Sequence, residues 1–171
     1  MWEYFGKCMK GERHKERGLL CQDRMAYRQK GTMQVAALVD GASRKNESIL
    51  VYEEIVEFLA EYLMEHMEEL LELKYREANE WVRKDILIKI RAIIDNCKEK
   101  YGLEERDCAS TLMAIGLDHE KKKYVSLHLG DGIIVCYDEE KENWKIFSCP
   151  DNRLYENLQA FEWESGIYNW C

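Results

Sequence analysis

The sequence contains one apolar run that stops on an acidic turn, Met33-Gln34-Val35-Ala36-Ala37-Leu38-Val39-Asp40-Gly41. A continuous apolar run of this length predicts a buried strand, so Asp40 should stand at the rim of a core with its carboxylate open to solvent. A second segment repeats the arrangement, because Gly130-Asp131-Gly132 separates the strand-like runs 124–129 and 133–137. Carboxylates beside glycine at strand ends suit hard divalent cations, which prefer charged oxygens together with backbone carbonyls.

Size and composition predict a single globular domain over residues 1–171. The formal net charge of −8 argues against nucleic acid as the main partner, since phosphate backbones require a basic face. No apolar run approaches the roughly 18 residues that span a membrane, and we expect no membrane association and no signal peptide. The seven cysteines contain no CxxC pair, which predicts reduced thiols and a cytoplasmic location.

Hydrophobic periodicity divides the chain into strands, two long helices and further strands. Apolar residues at helical spacing predict helices over 49–74 and from about 78 to 101, and the short link between them predicts an antiparallel pair. Residues 1–31 are predicted to form short strands and turns. After the helices, further strands are predicted at 108–117, 123–129, 132–137 and 144–149. This order indicates an α+β fold with the helices on one face of antiparallel sheets.

Four motifs in this order resemble those of metal-dependent protein phosphatases of type 2C, in their bacterial branch. The motifs are His14-Lys15-Glu16-Arg17-Gly18-Leu19-Leu20-Cys21-Gln22-Asp23, Val39-Asp40-Gly41-Ala42-Ser43, Ala109-Ser110-Thr111-Leu112 and Leu129-Gly130-Asp131-Gly132. The match covers nearly all of residues 10–160, and the two predicted helices lie between the second and third motifs, as in that family.

The resemblance implies an antiparallel β-sandwich flanked by helix pairs, with metal ions at one end. Asp40 would bridge two Mn²⁺ or Mg²⁺ ions, and Gly41 would offer its backbone carbonyl. Asp23 would lie in the same cluster and hold metal-bound water, and Asp131 would match the position associated with a further, weaker metal. The implied reaction is hydrolysis of a phosphoserine or phosphothreonine ester in a phosphoprotein substrate.

The resemblance also implies a basic side chain that holds the substrate phosphate shortly before the first aspartate. Arg17 is the best candidate, because a guanidinium matches a phosphate bidentately, and Lys15 and Arg24 are alternatives. His14 could donate a proton to the leaving oxygen, since histidine titrates near neutral pH. It could equally be a surface or turn residue.

Each acidic motif also has a purely structural interpretation. Asp40-Gly41 is a common turn pair, Gly130-Asp131-Gly132 could close a hairpin of the primed type, and Asp23 could cap a neighbouring backbone group. In that case the chain would be a different α+β sandwich hydrolase, in which these loops are only turns.

The resemblance weakens toward residue 171. Members of the family normally continue with a second Asp-Gly motif and a final aspartate, and the segment 151–171 contains no Asp-Gly pair. We therefore expect a C-terminally shortened phosphatase domain that lacks its last strands. The alternative is a relative that has lost activity and serves as a binding module for a phosphoprotein or another partner.

Overall fold

The computed structural model describes residues 5–138, 141–148 and 157–162. Its largest element is an antiparallel sheet of five strands in the order β1-β2-β3-β4-β7, and β5 and β6 form a separate antiparallel pair. The strands are β1 Arg24–Lys30, β2 Met33–Gly41, β3 Ser110–Asp118, β4 Lys123–Leu129, β5 Ile134–Asp138, β6 Asn143–Ser148 and β7 Asn157–Glu162. The helices are α1 Glu12–Glu16, α2 Ser48–Leu70, α3 Tyr75–Trp81 and α4 Leu87–Tyr101. The predicted α+β fold with antiparallel sheets is confirmed.

Strand β2 lies inside the large sheet and ends with Asp40 and Gly41, which pair with Thr111 and Ser110 of β3. The interpretation of Asp40-Gly41 as a turn is wrong for that reason. Val35, Ala37 and Val39 alternate along one face and are buried, as expected for side chains that point toward a core. That face packs against α2, which contacts β1, β2 and β3. The apolar run therefore forms the buried strand that its composition predicts.

The two predicted helices form, and they run antiparallel. Tyr62 of α2 donates a hydrogen bond to Asp85, whereas Ile55, nearer the start of α2, lines a cavity together with Ile94 of α4. Positions earlier in α2 thus face positions later in α4. The second helix is less regular than predicted, because a π-helical turn, Val82–Ile86, separates α3 from α4.

Three local predictions differ from the structure. Residues 12–16 form a short helix rather than a strand or turn, consistent with their charged, helix-favouring side chains. The predicted strand 108–117 begins at Ser110, after a 3₁₀ turn over Glu105–Cys108. Strand β7, Asn157–Glu162, pairs with β4 although the sequence predicts no strand there.

The segment Gly130-Asp131-Gly132 does not close a hairpin. Strand β4 before it belongs to the five-stranded sheet, whereas β5 after it pairs with β6. The segment therefore carries the chain from one sheet to the other, and Tyr124 of β4 stacks on Phe147 of β6 with ring centroids 4.1 Å apart. The primed-hairpin interpretation of this segment is wrong for that reason.

The outer face of the β5–β6 pair is exposed. Its large apolar side chains are Ile133, Val135, Tyr137, Trp144 and Ile146.

Within the residues described above, no helix has both the length and the apolar character needed to cross a membrane.

Candidate metal and phosphate site

The strand register brings three distant acidic residues to the same end of the sheet, where strand termini meet. We call this end the acidic edge. Strand β1 starts with Arg24 opposite Val39, which places Asp23 beside the end of β2. Asp40 of β2 pairs with Thr111 at the start of β3. Because β3 in turn pairs with β4, the loop that follows β4 and carries Asp131 leaves the sheet at the same edge.

A close approach between glycines and neighbouring side chains fixes this edge. A Cβ on Gly41 would lie 2.7 Å from Cδ2 and 2.8 Å from Cζ of the Tyr52 ring, and closer still to Cε2. A Cβ on Gly130 would lie 2.7 Å from Cβ of Thr111. The end of β2 and the loop that carries Asp131 therefore pack so tightly that a residue larger than glycine at position 41 or 130 would displace them.

Tyr52 packs beneath Asp40-Gly41 at the end of β2. It is fully buried in α2, and its hydroxyl donates to the carbonyl oxygen of Ala109, 2.9 Å away. The amide of Ala42 donates to the same oxygen at 2.9 Å. The end of β2 and the start of β3 are thus connected to one side chain of α2.

Polar contacts hold the segment before β1 against the loop that follows Gly41. The amide of Leu20 donates to Oδ1 of Asn46 at 3.0 Å, and Nε2 of Gln22 donates to the carbonyl oxygen of Lys45 at 3.1 Å. Gln22 is fully buried. These contacts fix the backbone on both sides of the Asp23–Asp40 pair, so the proximity of the two acids is built into the fold.

The charges at this edge act on one another. Asp40 is exposed, but partial desolvation by the surrounding loops raises the pKa of its carboxyl group, and the negative charges of Asp23 and Asp131 raise it further. The Asp23 carboxyl also lies within hydrogen-bonding reach of Asp40, and His14 opposes the rise. Like charges held together in this way repel, and a bound cation would relieve that repulsion.

The three acids do not form a complete metal cage. Among the described residues, no group of three His, Cys, Asp or Glu side chains converges closely enough to hold a metal ion alone. Asp23 and Asp40 are near neighbours, whereas Asp131 acts on Asp40 over a longer range. The donor set of carboxylates and the Gly41 carbonyl has the all-oxygen chemistry that Mg²⁺ and Mn²⁺ prefer, with room for water or substrate oxygens as further ligands.

The three candidates for holding the substrate phosphate differ in the contacts that their side chains make. Arg24 donates from Nη1 to the carbonyl oxygens of Cys21 and Asp23, at 2.9 and 2.7 Å, and Lys15 forms an ion pair with Glu12 at 2.8 Å. Arg17 follows α1, is exposed, and makes no ion pair within the described residues. Of the three, Arg17 is the one whose side chain makes neither a hydrogen bond nor an ion pair with the described residues.

His14 lies in α1 and is half-buried, near enough to Asp40 for its charge to lower the pKa of that carboxyl group.

The sequence prediction missed the residues that support the site rather than those that carry charge, namely Tyr52, Gln22 and Asn46. The polar composition of 43–48 indicates a loop, but it does not show what the loop binds.

Comparisons with known proteins agree with these motifs. The sequence profile of a family described as Protein phosphatase 2C matches residues 10–168. A search of curated protein sequences finds no match.

Several solved structures resemble the chain at low identity. The RsbU and RsbW domains of Rv1364c from Mycobacterium tuberculosis align at 9% identity and a TM-score of 0.47, over 82% of this chain and 35% of that one. RsbX in complex with magnesium aligns at 10% identity and a TM-score of 0.46, over 86% of this chain and 63% of that one. The phosphatase domain and regulatory fragment of SpoIIE from Bacillus subtilis align at 16% identity and a TM-score of 0.44, over 85% of this chain and 38% of that one. The chain thus spans less than two thirds of the length of each of these three.

Proposed function

Because the chain belongs to the protein phosphatase 2C family, we propose that it hydrolyses phosphoserine and phosphothreonine esters in phosphoproteins, with Mn²⁺ or Mg²⁺ as cofactor. The observation that carries this proposal is the juxtaposition of Asp23 and Asp40 at the edge where Asp131 also emerges. The five cysteines in the described part of the chain are free thiols, which supports the cytoplasm as its compartment.

In this proposal Asp23, Asp40 and the carbonyl of Gly41 hold the metal ions, and Asp131 adds negative charge nearby. Bound divalent cations supply positive charge to the phosphate oxygens and promote attack by water at neutral pH. The acids themselves would repel a phosphate dianion, so their charge must be balanced before a substrate can approach.

Two residues near α1 would act on the substrate directly. Arg17, whose guanidinium is exposed and makes no ion pair within the described residues, would hold two phosphate oxygens and orient the ester. His14, which lies near Asp40, would donate its proton to the serine or threonine oxygen as the ester bond breaks. The proton then stays with the product hydroxyl, and the imidazole is reprotonated from solvent.

The absence of a complete three-residue metal cage among the described residues favours a second candidate. In this alternative the same edge holds a phosphoprotein without hydrolysing it. Weak metal binding with no turnover is the expected behaviour of such a module.

The decisive experiment is hydrolysis of p-nitrophenyl phosphate with and without added Mn²⁺. We expect metal-dependent turnover that falls at least about 100-fold in Asp40→Asn, because this variant removes a charged ligand. The matched control is Asp95→Asn, an exposed aspartate on α4, which should leave the rate unchanged. Turnover that is equal in wild type and Asp40→Asn would refute catalysis at this edge.

Calorimetric titration with Mn²⁺ separates the two candidates. The phosphatase should bind the metal with an affinity that falls in both Asp23→Asn and Asp40→Asn. Absence of turnover at saturating Mn²⁺, with phosphopeptide binding retained, would favour the binding module.

A further inference from the structure

The segment before the first aspartate has a charge opposite to that of the protein as a whole. Residues 5–20 contain five basic and two acidic side chains, for a formal charge of +3. The whole chain carries −8, so the remaining residues carry −11. An asymmetry of this size creates a local positive potential on an acidic protein and indicates an anionic partner.

The fold places this positive segment beside the site. After α1 the chain turns back, with the amide of Gly18 donating to the carbonyl oxygen of Lys15 at 3.2 Å and that of Leu19 to His14 at 2.9 Å. The next residue, Leu20, is bound to Asn46 at 3.0 Å in the loop that follows Asp40-Gly41. The end of segment 5–20 at Leu20 is therefore anchored within a few residues of the acidic edge.

The same loop contributes further positive charge. Arg44 is exposed two residues from Asn46, whereas the neighbouring Lys45 is neutralised by Asp107, 2.7 Å away. Two sequence segments, far apart along the chain, thus bring uncompensated positive charge to the same rim.

Within segment 5–20 and the loop that follows Gly41, four basic side chains besides Arg17 make no ion pair with the described residues. Three are exposed and one is half-buried. We refer to them as the basic rim: Lys7, Lys10, Arg13 and Arg44.

We propose that the basic rim binds acidic residues that flank the phosphorylated residue of the substrate, so that the protein selects phosphopeptides rich in Asp and Glu. This inference rests on the proposed function and names its substrate class. The charge of −11 on the rest of the chain opposes a long polyanion such as RNA, but a short acidic peptide can contact the rim alone. The rim also offsets the repulsion between such a peptide and the acids of the site.

The test compares two phosphoserine peptides of equal length, one with aspartates and one with alanines beside the phosphoserine. We expect wild-type kcat/KM to be about tenfold higher for the acidic peptide, and this preference to shrink in 0.5 M salt. The variant Arg13→Glu/Arg44→Glu should abolish the preference while leaving turnover of p-nitrophenyl phosphate within about twofold.

The matched control reverses two exposed charges away from the rim, in Lys30→Glu/Arg76→Glu. Lys30 ends β1 six residues beyond Arg24, roughly 20 Å along the strand. Because this control changes the net charge by the same amount, it should retain the preference for the acidic peptide. Loss of the preference in both double variants would overturn the proposal, since net charge rather than the rim would then explain it.

Fluorescence anisotropy with the same peptides, labelled, decides the question without turnover. Equal Kd values for the acidic and neutral peptides would overturn the inference, as would tighter binding of a single-stranded oligonucleotide of equal charge. If p-nitrophenyl phosphate is not hydrolysed but the acidic peptide still binds more tightly, the proposed catalysis fails while the charge preference stands.

Discussion

Replacing Gly41 with alanine tests the packing that positions Asp40 at the end of β2. The new Cβ would lie 2.7 and 2.8 Å from two carbons of the Tyr52 ring, well inside van der Waals contact. Tyr52 is fully buried and its hydroxyl is bonded to the Ala109 carbonyl oxygen, so a shift of the ring would disturb the core and that hydrogen bond. Either the ring or the end of β2 must shift.

The cost follows from two contributions. Overpacking of a well-filled core costs about 1–3 kcal/mol, and displacement of the Tyr52 hydroxyl from its acceptor adds about 1 kcal/mol. We therefore expect the free energy of unfolding to fall by about 2–4 kcal/mol, measured by urea denaturation followed by tryptophan fluorescence. The affinity for Mn²⁺ should fall as well, because Asp40 is displaced together with Gly41.

Two comparisons make this prediction specific. Gly11→Ala introduces the same methyl group where no atom lies within 4 Å, so it should cost less than about 1 kcal/mol. In a Tyr52→Leu background, which removes the ring, Gly41→Ala should also cost less than about 1 kcal/mol, and the difference is the coupling between the two residues. An equal cost in both backgrounds, or a cost below about 0.5 kcal/mol in the wild type, would refute the reasoning.

Three further outcomes are expected. Burial raises the pKa of Tyr52 to about 12, so its neutral phenol stabilises the fold below pH ~10, and this contribution is lost as pH rises toward 12. In urea unfolding measured as a function of pH, Tyr52→Phe should reduce that alkaline loss of stability by about 2 kcal/mol. The hydrogen bond from Lys45 holds the pKa of Asp107 below its usual value, so the ionised Asp107 stabilises the fold above pH ~4, and this effect disappears on further acidification. Lys45→Met should lower stability at pH 7 and make acid unfolding less steep. An unchanged acid transition would contradict this prediction. Asp131→Asn should weaken Mn²⁺ binding about fivefold in calorimetry, less than Asp40→Asn does, because Asp131 acts from a longer range, and equal losses would place both acids in contact with the same ion.

Much of the fold is readable from local patterns. The strand Lys123–Leu129 occurs with the predicted bounds, and the first long helix begins one residue from its predicted start. Gly102 ends α4 in the left-handed conformation, with φ of 64°, which is common for a glycine directly after a helix. These elements are predictable because periodicity and glycine conformational preference are properties of a few neighbouring residues.

Other parts of the fold depend on partners far away in the chain. The sequence around Gly130-Asp131-Gly132 suits a hairpin, but β4 pairs with β3 and β7 instead of β5. Strand β7 has no strong pattern of its own and is defined by pairing with β4. The π-helical turn at Val82–Ile86 likewise has no local sequence signal, and it coincides with the hydrogen bond between Tyr62 and Asp85.

The sequence by itself determined the chemical inventory of this protein: an acidic residue beside glycine at the end of two strand-like runs, and a positive segment in front of the first acid. Tertiary structure alone decided that Asp23 and Asp40 are neighbours and that Tyr52 supports the end of β2 that carries Asp40. The physical reason is that local patterns set each element's type and its buried face. Which ends of which strands meet depends on sheet order and register, and these are fixed by pairing between segments distant in the chain.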